Sequence, residues 1–275
     1  MPNVLRRNIS LRRSFGIFNK NKKSFEETCQ CDLQLIGAGD GAALLARVQL
    51  EGKQTEADVV LGLDTNLTAR AKETGLFTKH NKILNLNLPI SWNDDTFIPF
   101  DWGYFSFVYN SEKVTSAPKN FIELAKRSDL KIVIQDPRSS TPGLGLLMWL
   151  KAAYGDEASK VWKGLAPNIL TVTKGWSEAY GLFMDGEAEL VLSYKTSPAY
   201  HIIAENDFSI KAAIFDEGHY MQIEVAGKVL GSGVERLSRW TPLLMPIPRE
   251  HSHESRRFHD RRGNIFLRLQ KSFCG

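Results

Sequence analysis

The chain has 275 residues and a formal net charge of +4, with 43% hydrophobic and 24% charged residues, as in typical globular proteins. No uninterrupted apolar run approaches the roughly 18 residues that span a bilayer, which argues against a membrane-spanning chain. Residues 1–24 carry seven basic side chains and no acid, and residues 229–275 carry nine basic and four acidic ones. The segment between them therefore has a net charge of −8. Such an acidic body repels phosphate backbones and favours cationic ligands, so we expect no nucleic-acid binding.

Strand-like and helix-like segments alternate from about Ser24 onward. The predicted strands are residues 31–36, 58–63, 97–109, 131–135, 169–173 and 189–194. The predicted helices are residues 42–50, 66–74, 118–127, 146–154, 158–165 and 177–184. This order predicts an α/β architecture with mainly parallel sheets. The pattern fails after Lys228, and residues 229–275 are predicted to be a disordered or non-native tail.

Polar residues precede two of the predicted helices. Asp40 and Gly41 stand before the first helix, where Asp40 either caps the helix or offers a carboxylate to a cationic ligand. Ser140, Thr141 and Pro142 end a turn-rich loop, with Thr141 as the predicted N-cap and Pro142 as the first helical residue. The backbone N–H groups at such a start can hold a phosphate or a hydroxyl, although capping alone also explains these residues.

Three aromatic residues fall in turns that follow predicted strands: Trp176, Tyr194 and Tyr200. Ligands of open parallel sheets bind at the carboxyl ends of strands, where these rings can stack on a flat ligand or hold a cation. Core packing is the alternative.

The sequence contains no motif of a common catalytic or metal centre. G-x-S-x-G, H-E-x-x-H and Walker patterns are absent. Cys29 and Cys31 are too few for a zinc site, and they fit either a disulfide or two free thiols. His251 and His253 lie in the irregular tail. We therefore predict no enzyme, no metal and no cofactor.

Several long strings carry a family resemblance. They are Cys29-Gln-Cys31-Asp-Leu, Ala57-Asp58-Val-Val-Leu-Gly-Leu-Asp64, Trp92-Asn93, Pro99-Phe100-Asp101, Gln135-Asp136-Pro137-Arg138, Ser140-Thr141-Pro142-Gly143, Lys174-Gly175-Trp176-Ser177 and Leu190-Val-Leu-Ser193-Tyr194. Over about residues 25–228 the chain resembles the periplasmic thiamine-binding proteins of bacterial ABC importers.

The resemblance implies a type II periplasmic-binding-protein-like fold, with two α/β lobes, crossover hinge strands and a ligand in the cleft between the lobes. It implies capture of thiamine, including its phosphate esters, for a membrane permease and an ATPase, in the periplasm. The ligand residues that it implies are Asp40, Gly41, Ser140, Thr141, Trp176, Tyr194, Lys195, Thr196, Ser197 and Pro198, with Tyr200 as a further aromatic.

The domains expected from this resemblance are lobe 1 over residues 25–96, lobe 2 over residues 97–210 and a return to lobe 1 over residues 211–228. Residues 1–24 and 229–275 do not match the family, and the first segment shows no secretory signal. We interpret both ends as frameshift or start-site products. A first lobe left incomplete, with orphaned sheet edges, is then expected to weaken thiamine binding or to make the product non-functional.

Other functions predict other residues. An iron-binding protein of the same fold would need paired tyrosines with a histidine or carboxylate, and a polyamine-binding one would need several carboxylates where the sequence places only Asp40. An enzyme for thiamine phosphates would have only Ser140 or Thr141 as a nucleophile, without a matching histidine. A nucleic-acid binder would have to act through the arginine-rich ends.

Overall fold

The computed structural model describes residues 22–23, 26–27, 31–81, 86, 88–232 and 265–271, with the backbone alone for Cys31 and for residues 265–271. The strands are β1 (Cys31–Gly37), β2 (Val59–Asp64), β3 (Phe77–Thr78), β4 (Phe97–Asn110), β5 (Ile132–Gln135), β6 (Ile169–Thr173), β7 (Leu190–Tyr194), β8 (Ile210–Ala212), β9 (Met221–Val229) and β10 (Ile265–Lys271). The helices are α1 (Gly41–Glu51), α2 (Thr68–Glu73), α3 (Phe121–Lys126), α4 (Thr141–Tyr154), α5 (Ala158–Leu165), α6 (Trp176–Met184) and α7 (Ser197–Tyr200). The α/β class expected from the strand and helix order is confirmed.

The described residues divide into two compact units. Unit 1 takes the chain up to Asp101 and again from Ile223, and unit 2 takes Trp102–Gln222. Strands β4 and β9 carry the chain from one unit to the other. No helix in the described part of the chain is both long enough and apolar enough to cross a bilayer.

In unit 1 the strands follow the order β1–β10–β2–β9, and β3 pairs with β9. Every residue of β2 is buried, as its apolar sequence VVLGLD requires. Helix α1 buries Leu44, Leu45 and Val48, the face expected from their helical spacing, and it ends at Gly52, as predicted.

The predicted disorder of the tail is wrong for residues 265–271. Strand β10 pairs antiparallel with β1, where Ile265 lies opposite Gly37, and with β2, where Ile265 lies opposite Leu61. The apolar residues Ile265, Leu267 and Leu269 alternate along it, which is the period of a strand. The other predictions for residues 1–21, 233–264 and 272–275 fall outside the described residues, as do Cys29 and Cys274.

In unit 2 the strands follow the order β4–β7–β5–β6, and β8 pairs with β4. Strand β5 is parallel to both β6 and β7, whereas β4 is antiparallel to β7 and β8. Since the pairs described in unit 1 are also antiparallel, the expectation of mainly parallel sheets holds only for β5, β6 and β7. Strands β4, β9 and β10 are thus antiparallel to the strands with which they pair within their own units.

Helix α4 begins at Thr141, five residues before the predicted apolar segment 146–154 and one residue before Pro142, the first helical residue expected from the capping pattern. Ser140 therefore occupies the N-cap position that we assigned to Thr141, and Pro142 is one residue further into the helix. Two glycines allow this start to approach the sheet closely. A Cβ atom at Gly143 would clash with the backbone of Gln135, and one at Gly145 would clash with the ring of Phe105. The absence of a side chain at Gly143 and Gly145 therefore allows α4 to pack closely against the sheet at the end of β5.

Candidate functional site

Unit 2 gathers most of the predicted ligand residues at one edge of its sheet. The loops that follow β5, β6 and β7 leave the sheet at the same edge, because these three strands are parallel. Two hydrogen bonds join the first two loops: the Asp136 N–H donates to the Thr173 carbonyl at 2.8 Å, and the Ser139 hydroxyl donates to the Lys174 carbonyl at 2.6 Å. The helix start at Ser140 is therefore fixed beside the turn that carries Trp176.

Trp176 and the residues after β7 are connected through Ser193, which was not predicted to be a site residue. The indole Nε1–H of Trp176 donates to the Ser193 hydroxyl at 2.8 Å, and that hydroxyl lies 2.8 Å from the hydroxyl of Ser197. Trp176 and Tyr194 are each 8% exposed. The Trp176 ring is thus held by a hydrogen bond and the Tyr194 ring by packing against Phe105, at a centroid distance of 5.4 Å, and both rings are largely buried.

A second set of contacts extends from Trp176 to the turn after α7. The Trp176 ring stacks on Tyr180, with centroids 4.8 Å apart, and the Tyr180 hydroxyl lies 2.8 Å from Nε2 of His201. The Tyr200 ring packs edge-on against His201, at a centroid distance of 5.5 Å. Trp176 and Tyr200 are therefore linked by Tyr180 and His201, two residues that were not predicted to belong to the site.

The start of α4 offers hydrogen-bond donors. The Leu144 N–H donates to the Ser140 carbonyl, so the N–H groups of the preceding turn have no acceptor within the helix. Both Ser140 and Thr141 are buried. The helix dipole and these N–H groups suit a negatively charged or hydroxyl group of a ligand.

Lys195 adds a cationic side chain to this edge. Its backbone N–H donates to the Tyr104 carbonyl at 2.9 Å, and its ammonium group lies 6.0 Å from the centre of the Tyr104 ring. Lys195 and Thr196 are exposed, and Thr196 is the N-cap of α7, which contains Pro198. The segment after β7 thus combines a buried aromatic ring, an exposed cation and a hydroxyl group.

Asp40 and Gly41 belong to unit 1. Asp40 is the N-cap of α1, as predicted, and its carbonyl accepts the Leu44 N–H at 2.8 Å. Its carboxylate makes no capping hydrogen bond with the helix, so capping by the side chain does not explain why an aspartate stands here.

Two buried carboxyl groups near Asp40 were missed. Asp64, at the end of β2, lies opposite Glu224 of β9, and the two side chains are in the core of unit 1. Burial raises the pKa of Asp64 to about 6, while Asn66 donates two hydrogen bonds to its carboxyl group. Burial, and then the charges of Asp64 and Asp40, raise the pKa of Glu224 to about 8. A carboxylate that ends an apolar strand was the available sign for Asp64, whereas Glu224 is recognisable only from the pairing.

A groove elsewhere in unit 2, of about 560 Å³, contains none of the predicted site residues. It is lined by Asn120, Ile122, Glu123, Lys126, Tyr154, Asp216 and Glu217. The Tyr154 hydroxyl donates to the Glu217 carboxylate, and burial, followed by this hydrogen bond, raises the pKa of Tyr154. Since Glu217 also accepts the Phe121 N–H at 2.9 Å, this carboxylate has a structural role at the start of α3.

Comparison with known proteins finds one matching family model and relatives that share one name. The family model described as bacterial extracellular solute-binding protein matches residues 54–241. The chain is 51% identical over 220 residues to the thiamine-binding periplasmic protein of Escherichia coli (strain K12), covering 79% of this chain and 67% of that protein. It is 54% identical over 215 residues to the protein of the same name from Salmonella typhimurium, covering 77% and 65%. The chain thus spans about two thirds of the length of these relatives.

A solved structure also resembles this chain. A periplasmic thiamin binding protein superposes with a TM-score of 0.80 at 48% sequence identity, covering 85% of this chain and 76% of that chain.

Proposed function

The chain belongs to the family of bacterial extracellular solute-binding proteins, and from this premise we propose that it captures thiamine and its phosphate esters for an ABC importer. The observation that carries the proposal is the 51% identity, over 220 residues, to a thiamine-binding periplasmic protein. The family is one of binding proteins and not of enzymes.

The chemistry of unit 2 suits this ligand. Thiamine combines a flat pyrimidine, a cationic thiazolium and a hydroxyethyl arm that carries the phosphate in its esters. We assign the rings to Trp176, Tyr194 and Tyr200, since a cation over an aromatic face is stabilised by about 0.5–2 kcal/mol. The arm, with or without phosphate, is assigned to the start of α4 at Ser140 and Thr141 and to Lys195 through Pro198.

Unit 1 contributes the opposite charge. Asp40, with Gly41, is proposed as a ligand residue. The carboxyl group of Asp64, with a pKa of about 6, is mostly ionised at neutral pH and adds negative potential near it, whereas Glu224, with a pKa of about 8, remains largely protonated. An acidic environment of this kind attracts a cationic vitamin and disfavours an anion.

The proposal also includes the location and the membrane partners that an ABC importer requires. A periplasmic location, and docking to a membrane permease with its ATPase, are what a thiamine-specific member of this family would require. The two units are proposed to be the two lobes, so that lobe 2 takes Trp102–Gln222 in place of residues 97–210, which the sequence predicted.

Calorimetric titration tests the ligand and the site together. We expect wild-type protein to bind thiamine or thiamine phosphate, and Trp176→Ala to bind at least about tenfold more weakly, because the stacking and cation contacts are lost. Trp162→Ala, in α5, removes a tryptophan outside the predicted site and should leave the affinity unchanged.

Three outcomes are informative. An unchanged affinity in a folded Trp176→Ala variant removes this residue from the site. A wild-type protein that takes up neither thiamine nor its phosphates contradicts the proposed function. Release of inorganic phosphate from the ester would indicate an enzyme instead.

A polyamine is the second candidate ligand. The sequence placed one carboxylate, Asp40, and the structure adds the buried carboxyl groups of Asp64 and Glu224 near it. Titration with spermidine under the same conditions distinguishes the two ligands, and we expect the vitamin to bind more tightly because a polyamine has no flat rings to stack.

A further inference from the structure

We propose that His201, Glu205 and Asp207 form a binding site for a divalent transition-metal ion, with Zn²⁺ as the reference ion. One ligand atom from each side chain lies within 4.8 Å of the other two. Neither the family nor the proposed thiamine site requires a metal, so the inference stands independently of both.

The backbone brings the three donors together. His201–Glu205 forms a single turn of π-helix directly after α7, and Asn206 then adopts a left-handed conformation with φ of 54°. The Asp207 N–H donates to the His201 carbonyl at 3.0 Å, which folds Asp207 back toward the imidazole. Short π-helical turns are uncommon and occur often at functional sites.

The donor set fits a borderline-soft dication. An imidazole nitrogen with two carboxylate oxygens is a set that binds Zn²⁺ and its neighbours in the first transition row, with a fourth position for water. Nδ1 of His201 lies 2.7 Å from the Glu205 carboxylate. Two carboxylates around one imidazole carry more negative charge than a protonated ring neutralises, and a dication would balance it.

The imidazole already has the support that metal-binding histidines have. His201 is 2% exposed, and its second nitrogen, Nε2, lies 2.8 Å from the hydroxyl of Tyr180. With Nε2 protonated and donating to that hydroxyl, Nδ1 keeps the lone pair that a metal ion needs, on the side of the ring that the Glu205 carboxylate occupies. Stacking of the Tyr180 and His201 rings, at 5.9 Å, fixes the orientation further.

A purely structural reading explains only part of this arrangement. The contact between His201 and Glu205 is the ordinary pair expected one turn apart, and Asp207 accepts the Ser209 N–H at 2.8 Å. Neither bond explains why a ligand atom of each carboxylate lies within 4.8 Å of a ring nitrogen of the same buried imidazole. A bound cation explains the convergence directly.

Equilibrium dialysis against Zn²⁺ at about pH 7, followed by metal analysis, tests the site. The tail histidines and the cysteines can also bind zinc, so the readout is the difference between wild type and variants. We expect Asp207→Asn and His201→Gln each to bind one zinc ion fewer than wild type, because the two donors that remain should hold the ion at least about tenfold more weakly. Asp216→Asn, an exposed acid in the groove of unit 2, is the matched control and should bind as wild type does.

Co²⁺ provides a second readout, because its visible absorption reports nitrogen and oxygen coordination directly. Asp207→Asn keeps an oxygen that can accept the Ser209 N–H, so this variant should fold even if His201→Gln does not. Equal zinc stoichiometry and an unchanged Co²⁺ spectrum in Asp207→Asn would overturn the proposal. Loss of one zinc ion together with the Co²⁺ bands supports it, whatever the outcome of the thiamine titration.

Discussion

At the scale of single residues, the pair Asp64 and Glu224 is the least expected feature of unit 1. Two carboxyl groups lie opposite each other on neighbouring strands, 0% and 4% exposed. Removing a carboxylate from water is costly and a neighbouring negative charge adds to the cost, so the pair retains protons at pH values where exposed carboxyl groups have lost them.

This proton retention predicts a dependence of stability on pH. Folding raises the pKa of Glu224 from 4.5 to about 8 and that of Asp64 from 3.8 to about 6. Stability from a raised pKa is fully present below the unfolded value and is lost as the pH rises through the folded value. We therefore expect the wild-type free energy of unfolding to fall between pH 5 and pH 8.5.

The substitution Glu224→Gln removes the carboxyl group that makes the larger contribution to this pH dependence. Urea unfolding at pH 5, 6.5 and 8.5 measures the free energy of unfolding. Its fall with rising pH should be smaller in Glu224→Gln than in wild type by more than about 1 kcal/mol, since one pKa unit corresponds to about 1.4 kcal/mol. Glu187→Gln, at an exposed position, should follow the wild-type curve. Parallel curves for wild type and Glu224→Gln would contradict the assignment.

At the scale of elements, the packing of α4 against the sheet depends on glycine. Gly145 faces the ring of Phe105, which is fully buried and lies 5.4 Å from the Tyr194 ring. No atom lies within 4 Å of the position that a Cβ would take at Gly181 in α6. The two helical glycines therefore differ only in whether the sheet occupies the space beside them.

Alanine substitutions separate these two roles. Gly145→Ala should lose about 1–3 kcal/mol of unfolding free energy, because the buried ring cannot move aside. Gly181→Ala should gain up to about 1 kcal/mol, since alanine favours the helix and meets no neighbour. Urea unfolding followed by tryptophan fluorescence measures both, and a Gly145→Ala variant as stable as wild type would show that α4 can shift.

At the scale of the whole molecule, a strand far along the chain completes the sheet of unit 1. Strand β10 lies between β1 and β2, in the part of the chain where we expected orphaned sheet edges. The backbone groups of both strands gain hydrogen-bond partners in this way, which buried groups require.

Removing this strand should have a local effect. In a chain that ends at Asn264, the amides of β1 and β2 are expected to lose protection against hydrogen exchange, because their β10 partners are gone. A chain that ends at Lys271 keeps the strand and serves as the control. Equal protection of β1 and β2 in the two truncated chains would contradict the pairing, and β5 in unit 2 reports that the rest of the chain remains folded.

The sequence by itself determined most of the strands and helices between residues 31 and 194, since apolar spacing and glycine stops act over a few residues, but it did not predict β8, β9 or β10. It also supplied the residue types at the strand ends, among them Trp176, Tyr194 and Asp40. It could not supply the pairing of Asp64 with Glu224, the link through Ser193 or the place of β10. These depend on contacts between residues far apart in the chain, which form only when the strands are aligned in a sheet. Tertiary structure therefore decided how those side chains are buried and charged.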